Sequence, residues 1–278
     1  QRPQSQSEWY MALVPPYQDP WPAAFYAVLA RPLALHTGRS LRSFGLKRKE
    51  RCDLKKEKLL LANVFAKIRT AMGYEGVDLY IDEQAEFDLL VANVVERGER
   101  WSPVCVAGAS ALFDKTEYEL SFGLARDLCF LRPEHLLGLL IPDPGEQTFL
   151  TMAAMHLVRP KLVELDDEKT ISQYAKMLSN RMTPQERMLL ERLVEDMVAR
   201  QVPIEPENWI RLSYAACDRA GLLFSQDLAT AAELLARPST STPLHSPESR
   251  LKQLLVFAVS PQHFEARRRL GITLNNVS

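Results

Sequence analysis

The chain has 278 residues, 46% hydrophobic and 25% charged, with 34 Lys and Arg against 35 Asp and Glu and a formal net charge of −1. This composition excludes a disordered or fibrous chain and fits one large or two modest globular domains. A balance so near zero gives no long-range attraction to nucleic acid or a membrane surface, and no apolar run reaches the length that spans a bilayer.

Gln1-Arg-Pro-Gln-Ser-Gln-Ser is no signal peptide, and residues 1–19 read as a linker. The initiator methionine is missing, so the sequence reads as a piece excised from a longer chain. Residues 20–35 predict a helix that Pro32 ends or kinks. Next come nine cations within residues 39–58: Arg39, Arg42, Lys47, Arg48, Lys49, Arg51, Lys55, Lys56 and Lys58. Such a cluster can bind phosphate or an acidic partner, or it is a solvated connector, which is the plainer reading. Phe44 is its only aromatic neighbour, so single-stranded nucleic acid is disfavoured. Residues 20–57 are read together as a helical and basic connector.

Leu60, Leu61, Val64, Phe65 and Ile68 share one face of a helix predicted over 54–72, and Gly73 closes it. Strands follow at 77–82, 87–95 and 104–107. Beyond residue 114 the pattern is helical, at roughly 133–141, 145–158, 167–180, 184–200, 206–221, 226–236, 247–258 and 261–269. Pro133 suits a first helical position, and Thr183-Pro-Gln-Glu186 is a capping box. Asp166-Asp-Glu168 puts acids at a helix start. Residues 237–247 form a low-complexity loop, and 248–278 are expected to pack as C-terminal helices on a core spanning 58–236. The expected fold is α+β and mainly helical, with a small three- or four-stranded sheet.

Cys52, Cys105, Cys129 and Cys217 match no C-x-x-C spacing and read as buried thiols in a reducing compartment. His135 and His156 fall on predicted helices and read as packing or capping residues; His36, His245 and His263 read as loop or surface. No G-x-S-x-G, phosphate-binding loop or dinucleotide fingerprint occurs.

Two segments carry a family resemblance. Residues 103–130 run from an apolar strand through a short helical turn and Glu119-Leu120 into an amphipathic helix ending Arg126-Asp127-Leu-Cys-Phe130. Ninety residues on stands Tyr214-Ala-Ala-Cys-Asp218-Arg-Ala-Gly221-Leu-Leu. The layout resembles zincin metallopeptidases of the CAAX-prenyl-endopeptidase and heat-shock membrane-peptidase type, over roughly residues 58–236. In that family H-E-x-x-H supplies two zinc ligands and the general base, and E-x-x-A-D-R-A-G-L-L supplies the third ligand and a supporting Asp. Here Arg126 and Phe130 stand at the histidine positions, Asp127 at the base and Tyr214 at the third ligand. Only Asp218 of the site is retained.

The resemblance therefore implies a zincin-like helical body without its zinc chemistry. Neither guanidinium nor phenyl can ligate a cation, so no cofactor or metal is expected. Asp218 is expected to pair with Arg126 across the two helices, with Tyr214 and Phe130 filling the remaining space. A substitute metal site from Cys129, Cys217 and Asp218 is the less favoured option. Active relatives bind peptide along a sheet edge, which the resemblance places at residues 85–95, with Phe87, Leu89 and Val91 as the candidate partner-binding edge. The implied function is a non-catalytic, cytoplasmic interaction or scaffold module binding a protein partner, of the kind found C-terminal in long bacterial repeat proteins. A hydrolase built on Asp127 and a displaced site is the alternative. Binding of phosphate or nucleic acid through 39–58 is the weaker one.

Overall fold

A computed structural model describes residues 6–14, 19–162, 168–203, 205–237 and 246–270. The fold is α+β and mainly helical. Its elements are α1 (Gln6–Leu13), α2 (Trp21–Thr37), α3 (Leu60–Ala71), β1 (Asp78–Asp82), β2 (Leu89–Ala92), β3 (Val95–Glu96), β4 (Arg100–Trp101), β5 (Val104–Gly108), α4 (Ala109–Phe113), α5 (Glu117–Cys129), α6 (Leu136–Leu140), α7 (Pro144–Val158), α8 (Glu168–Arg181), α9 (Pro184–Arg200), α10 (Pro206–Ser225), α11 (Leu228–Ala236), α12 (Pro247–Ala258) and α13 (Pro261–Arg269). Among the described residues, no helix is long and apolar enough to cross a membrane.

The sheet has the order β1-β5-β2, with β1 parallel and β2 antiparallel to β5, and β3–β4 form a separate ribbon. Period-two alternation sorts the strand residues. Leu79, Val91, Cys105 and Ala107 join the main helical core, while Tyr80, Ala92, Val104 and Val106 pack under Leu46 on the opposite face. The outer side of β1 is covered by residues 51–52, where Cys52 N–H donates to Leu79 O at 2.8 Å. Among the described residues, no strand pairs with the outer side of β2.

Several expectations need correction. The segment read as a linker contains α1, and Ala12, Leu13 and Val14 are buried. Residues 20–57 are more than a connector, because Phe25, Tyr26, Leu29, Leu33 and Ala34 of α2 lie in the core. Pro32 does not end that helix. A mid-helix proline costs about 3 kcal/mol, and the two apolar turns it joins offset that by packing on α6, α8 and α9. Trp21 Nε1–H donates to Leu193 O at 2.8 Å, and Arg31 holds Glu186 through two bonds of 2.6 Å, so α2 is tied to α9. The helix expected from residue 54 starts at Leu60, because Asp53 turns the chain first by accepting from Lys55 N–H at 3.2 Å. The helix expected over 133–141 shrinks to α6, with a buried Arg132–Glu134 pair at 2.7 Å in the turn before it. The strand expected over 87–95 breaks after Ala92, where the Asn93 amide donates to Ala34 O (3.0 Å) and accepts from Trp101 Nε1 (2.9 Å). Residues 166–167 and most of the 237–247 loop lie outside the described residues.

Helices α5 and α10 form the most extensive helix pairing of the fold. Gly221 permits it: a Cβ there would lie 2.8 Å from the Phe122 ring and 3.0 Å from the Phe122 carbonyl oxygen. The C-terminal α12 packs across α10 and α11 and brings Arg250 to the same junction.

Candidate functional site

Helix α5 begins with a capping box in which Thr116 and Glu119 satisfy each other's backbone N–H groups, fixing where its later turns fall. Arg126 and Asp127 then occupy its last turn, opposite Tyr214 and Asp218 of α10. Arg126 Nε–H donates to Asp218 Oδ1 at 3.0 Å. Its Nη1 reaches Asp127 Oδ1 at 3.3 Å. The guanidinium lies 5.8 Å from the Phe130 ring centre and 6.0 Å from that of Tyr214, and these two rings meet edge to face at 5.0 Å. Burial opposes the charge on Arg126, but Asp218 and Asp127 prevail, and its proton is held more tightly than in a free guanidinium.

Arg250 completes the cluster. It grips Asp218 bidentately, Nε to Oδ2 at 2.9 Å and Nη2 to Oδ1 at 2.7 Å. Asp218 is thus a buried carboxylate between two guanidinium groups, joining α5, α10 and α12. Sequence reasoning missed Arg250. Its signal was its place on the buried stripe of α12, four residues before Leu254 and seven before Phe257. The neighbouring Arg219 turns elsewhere, donating to Leu13 O at 2.9 Å and lying 5.1 Å from the Phe257 ring centre; burial lowers its pKa to about 10.

Beside this cluster is a cleft of about 210 Å³, lined in part by Asp88 and Leu89 before and in β2, Gly123 and Asp127 on α5, Leu235 on α11 and Arg250 on α12. It is smaller than the roughly 300–1,000 Å³ of a typical small-molecule site and suits one or two side chains of a longer ligand. Lys115 holds Asp88 at 2.7 Å and Arg237 holds Glu119 at 3.0 Å on its walls.

The residues of the expected partner-binding edge differ in how their side chains lie. Phe87 is exposed, Leu89 lines the cleft, and the Val91 side chain is buried in the core, because Val91 pairs with Cys105 on the helix-facing side of the sheet. The backbone tells more. Gly108 N–H donates to Asp88 O at 3.0 Å, which makes 88/108, 90/106 and 92/104 the hydrogen-bonded pairs. In an antiparallel ladder the residues between them, Leu89 and Val91, turn their N–H and C=O groups outward to the unpaired edge.

The residues at the positions that the resemblance assigns to zinc ligands do not fit zinc. Arg126 and Phe130 offer no lone pair, and both oxygens of Asp218 are taken by cations that would repel a metal ion. Cys129 and Cys217 are buried, and burial together with the Cys129 thiol pushes the Cys217 thiol up, away from the thiolate a metal needs. Among the described residues, no group of three or more His, Cys, Asp or Glu is placed to hold a metal ion. No family model matches the chain, and no curated protein or solved structure compared with it is a match.

Two titratable groups near the junction act in opposite directions. Burial pushes the Asp127 carboxyl up to about 6, against the pull of Arg126. Burial also pushes the His135 imidazole down to about 4; its Nδ1 lies 3.2 Å from Ser213 Oγ. Between pH about 4 and 6 the folded chain keeps a proton on Asp127 that the unfolded chain has released, so this group lowers stability as pH rises. Between about 4 and 6.5 the unfolded chain binds a proton on His135 that the folded chain refuses, so this group raises stability as pH rises. The two oppose each other in the wild type. Asp127→Asn is expected to expose the His135 contribution as a gain of about 2–3 kcal/mol from pH 4 to pH 7. Urea midpoints across that range measure it, and an Asp127→Asn profile parallel to the wild type would show that Asp127 titrates normally.

Proposed function

We propose that this chain is a non-catalytic peptide-binding module with a zincin-like core, in which an extended partner segment adds a strand to β2 and seats a side chain in the adjoining cleft. The observation that carries this reading is the juxtaposition at one place of an unpaired strand edge, a small cleft, and an Asp218 cluster where the resemblance puts metal ligands. Main-chain bonds from Leu89 and Val91 supply affinity, and the cleft supplies selectivity. The Arg126–Asp218–Arg250 cluster joins the three helices around the site, the role a metal ion plays in active relatives. A cytoplasmic setting and a scaffold role in a longer bacterial repeat protein belong to the same proposal.

The raised pKa of Asp127 favours one other reading, a hydrolase in which this carboxylate accepts a proton from water. A random extended-peptide library panned on the purified chain, with NMR of the amides, separates the two. Binding that shifts the Leu89 and Val91 amides and is lost in Leu89→Pro, which removes one outward donor, supports the module. Peptide cleavage that is lost in Asp127→Asn supports the hydrolase. Ligands that leave both amides unmoved refute strand addition.

A further inference from the structure

On the sheet face opposite the helical core lies a second, larger groove of about 1,000 Å³. Its apolar floor includes Leu41, Leu46, Val94 and Val104, and Arg42, Lys47, Arg48 and Arg97 stand along it. The carboxylates on the same walls are already engaged: Asp78 pairs with Arg51 at 2.9 Å and Glu96 with Arg100 at 3.4 Å. Glu50, next to this rim, accepts from Lys47 N–H at 2.7 Å. Among the described residues, none of the four lining cations has a carboxylate partner within salt-bridge distance, and all four are exposed. A chain whose formal net charge is only −1 thus concentrates unneutralised positive charge along one groove.

From this we infer that the groove binds an extended acidic peptide segment in which carboxylates alternate with apolar side chains. An extended chain points successive side chains to opposite sides, so one set rests on the Leu41, Leu46, Val94 and Val104 floor while the other reaches the cations at the rim. Arginine forks match carboxylates bidentately. Among the described residues Tyr80 is the one aromatic that lines the groove, too little for the base stacking that single-stranded nucleic acid binding relies on. The site lies on the other face of the sheet from the cleft beside Asp218 and stands or falls separately from it.

The test is fluorescence anisotropy of the whole chain with a labelled peptide of alternating Glu and Leu, a Lys and Leu peptide as control, and a single-stranded oligonucleotide of equal charge as competitor. Saturable binding of the Glu peptide alone is expected, weakening roughly tenfold as salt is raised through the range where surface charges are screened. Arg42→Glu combined with Arg48→Glu should weaken it at least about tenfold, and Glu96→Gln, which removes a competing carboxylate, should strengthen it. The Glu96 variant keeps the result readable if the double reversal disturbs folding. Preferential binding of the oligonucleotide overturns the assignment in favour of nucleic acid, and binding of neither probe overturns it outright.

Discussion

Asp218→Ala is expected to be among the most damaging single substitutions, costing about 3–5 kcal/mol, because it strands the Arg250 guanidinium in a poorly solvated junction and leaves Arg126 only its longer contact to Asp127. For a chain of this size that corresponds to a melting point lower by roughly 6–20 °C. The Asp218 and Arg250 side chains are only 3% and 7% exposed, so solvent cannot take over the lost bonds. Arg126 is 19% exposed and has Asp127 as a second partner, so Arg126→Met should cost less than Arg250→Met. It should also raise the Asp127 pKa further, since the attraction that opposes burial is then gone. Replacing all three residues by apolar ones of similar volume should restore most of the stability. If the triple replacement is as unstable as Asp218→Ala, the cluster contributes beyond charge compensation.

Gly108→Ala is expected to cost about 3 kcal/mol, for a steric rather than conformational reason. Its φ of −85° and ψ of 178° suit any residue. An added Cβ, however, would lie 2.0 Å from the Phe87 carbonyl oxygen and 2.9 Å from that of Ala85, and backbone cannot rotate aside as a side chain can. The 85–88 segment must move, breaking the Gly108–Asp88 bond and shifting Leu89 at the cleft wall. Thermal melts report the cost. Faster amide exchange over residues 88–92, together with loss of peptide binding at β2, would locate it; unchanged exchange there would mean that the clash is absorbed elsewhere.

The main features of the fold were legible because they rest on local periodicity. Alternation marked β1 and a short unbroken apolar run marked β5, each to within a residue or so, and Thr183 with Glu186 marked the start of α9. What misled was chemistry satisfied from far away. Pro32 signals a stop, yet core packing carries α2 through it. Asn93 sits in an apolar run, yet its amide bonds Ala34 and Trp101 and ends β2. At the site, the Arg126–Asp218 contact joins two helices whose alignment the D-R-A-G string suggests. Arg250 answers to no spacing within either helix, so only its apolar neighbours on α12 could betray it. Val91 shows the limit of reading an edge from composition: its backbone faces outward while its side chain is core.

The burial of α2 carries a consequence for the order of synthesis. Its apolar surface is covered by α6, α8 and α9, and Tyr26 stacks on Trp209 at 5.4 Å, all supplied by later stretches of the chain. Roughly 100–170 residues must be made after α2 before those partners exist, about 5–35 s at typical translation rates. Through that interval the future centre of the core is an exposed greasy helix, so the nascent chain is a client for holding chaperones well before it is a folded protein.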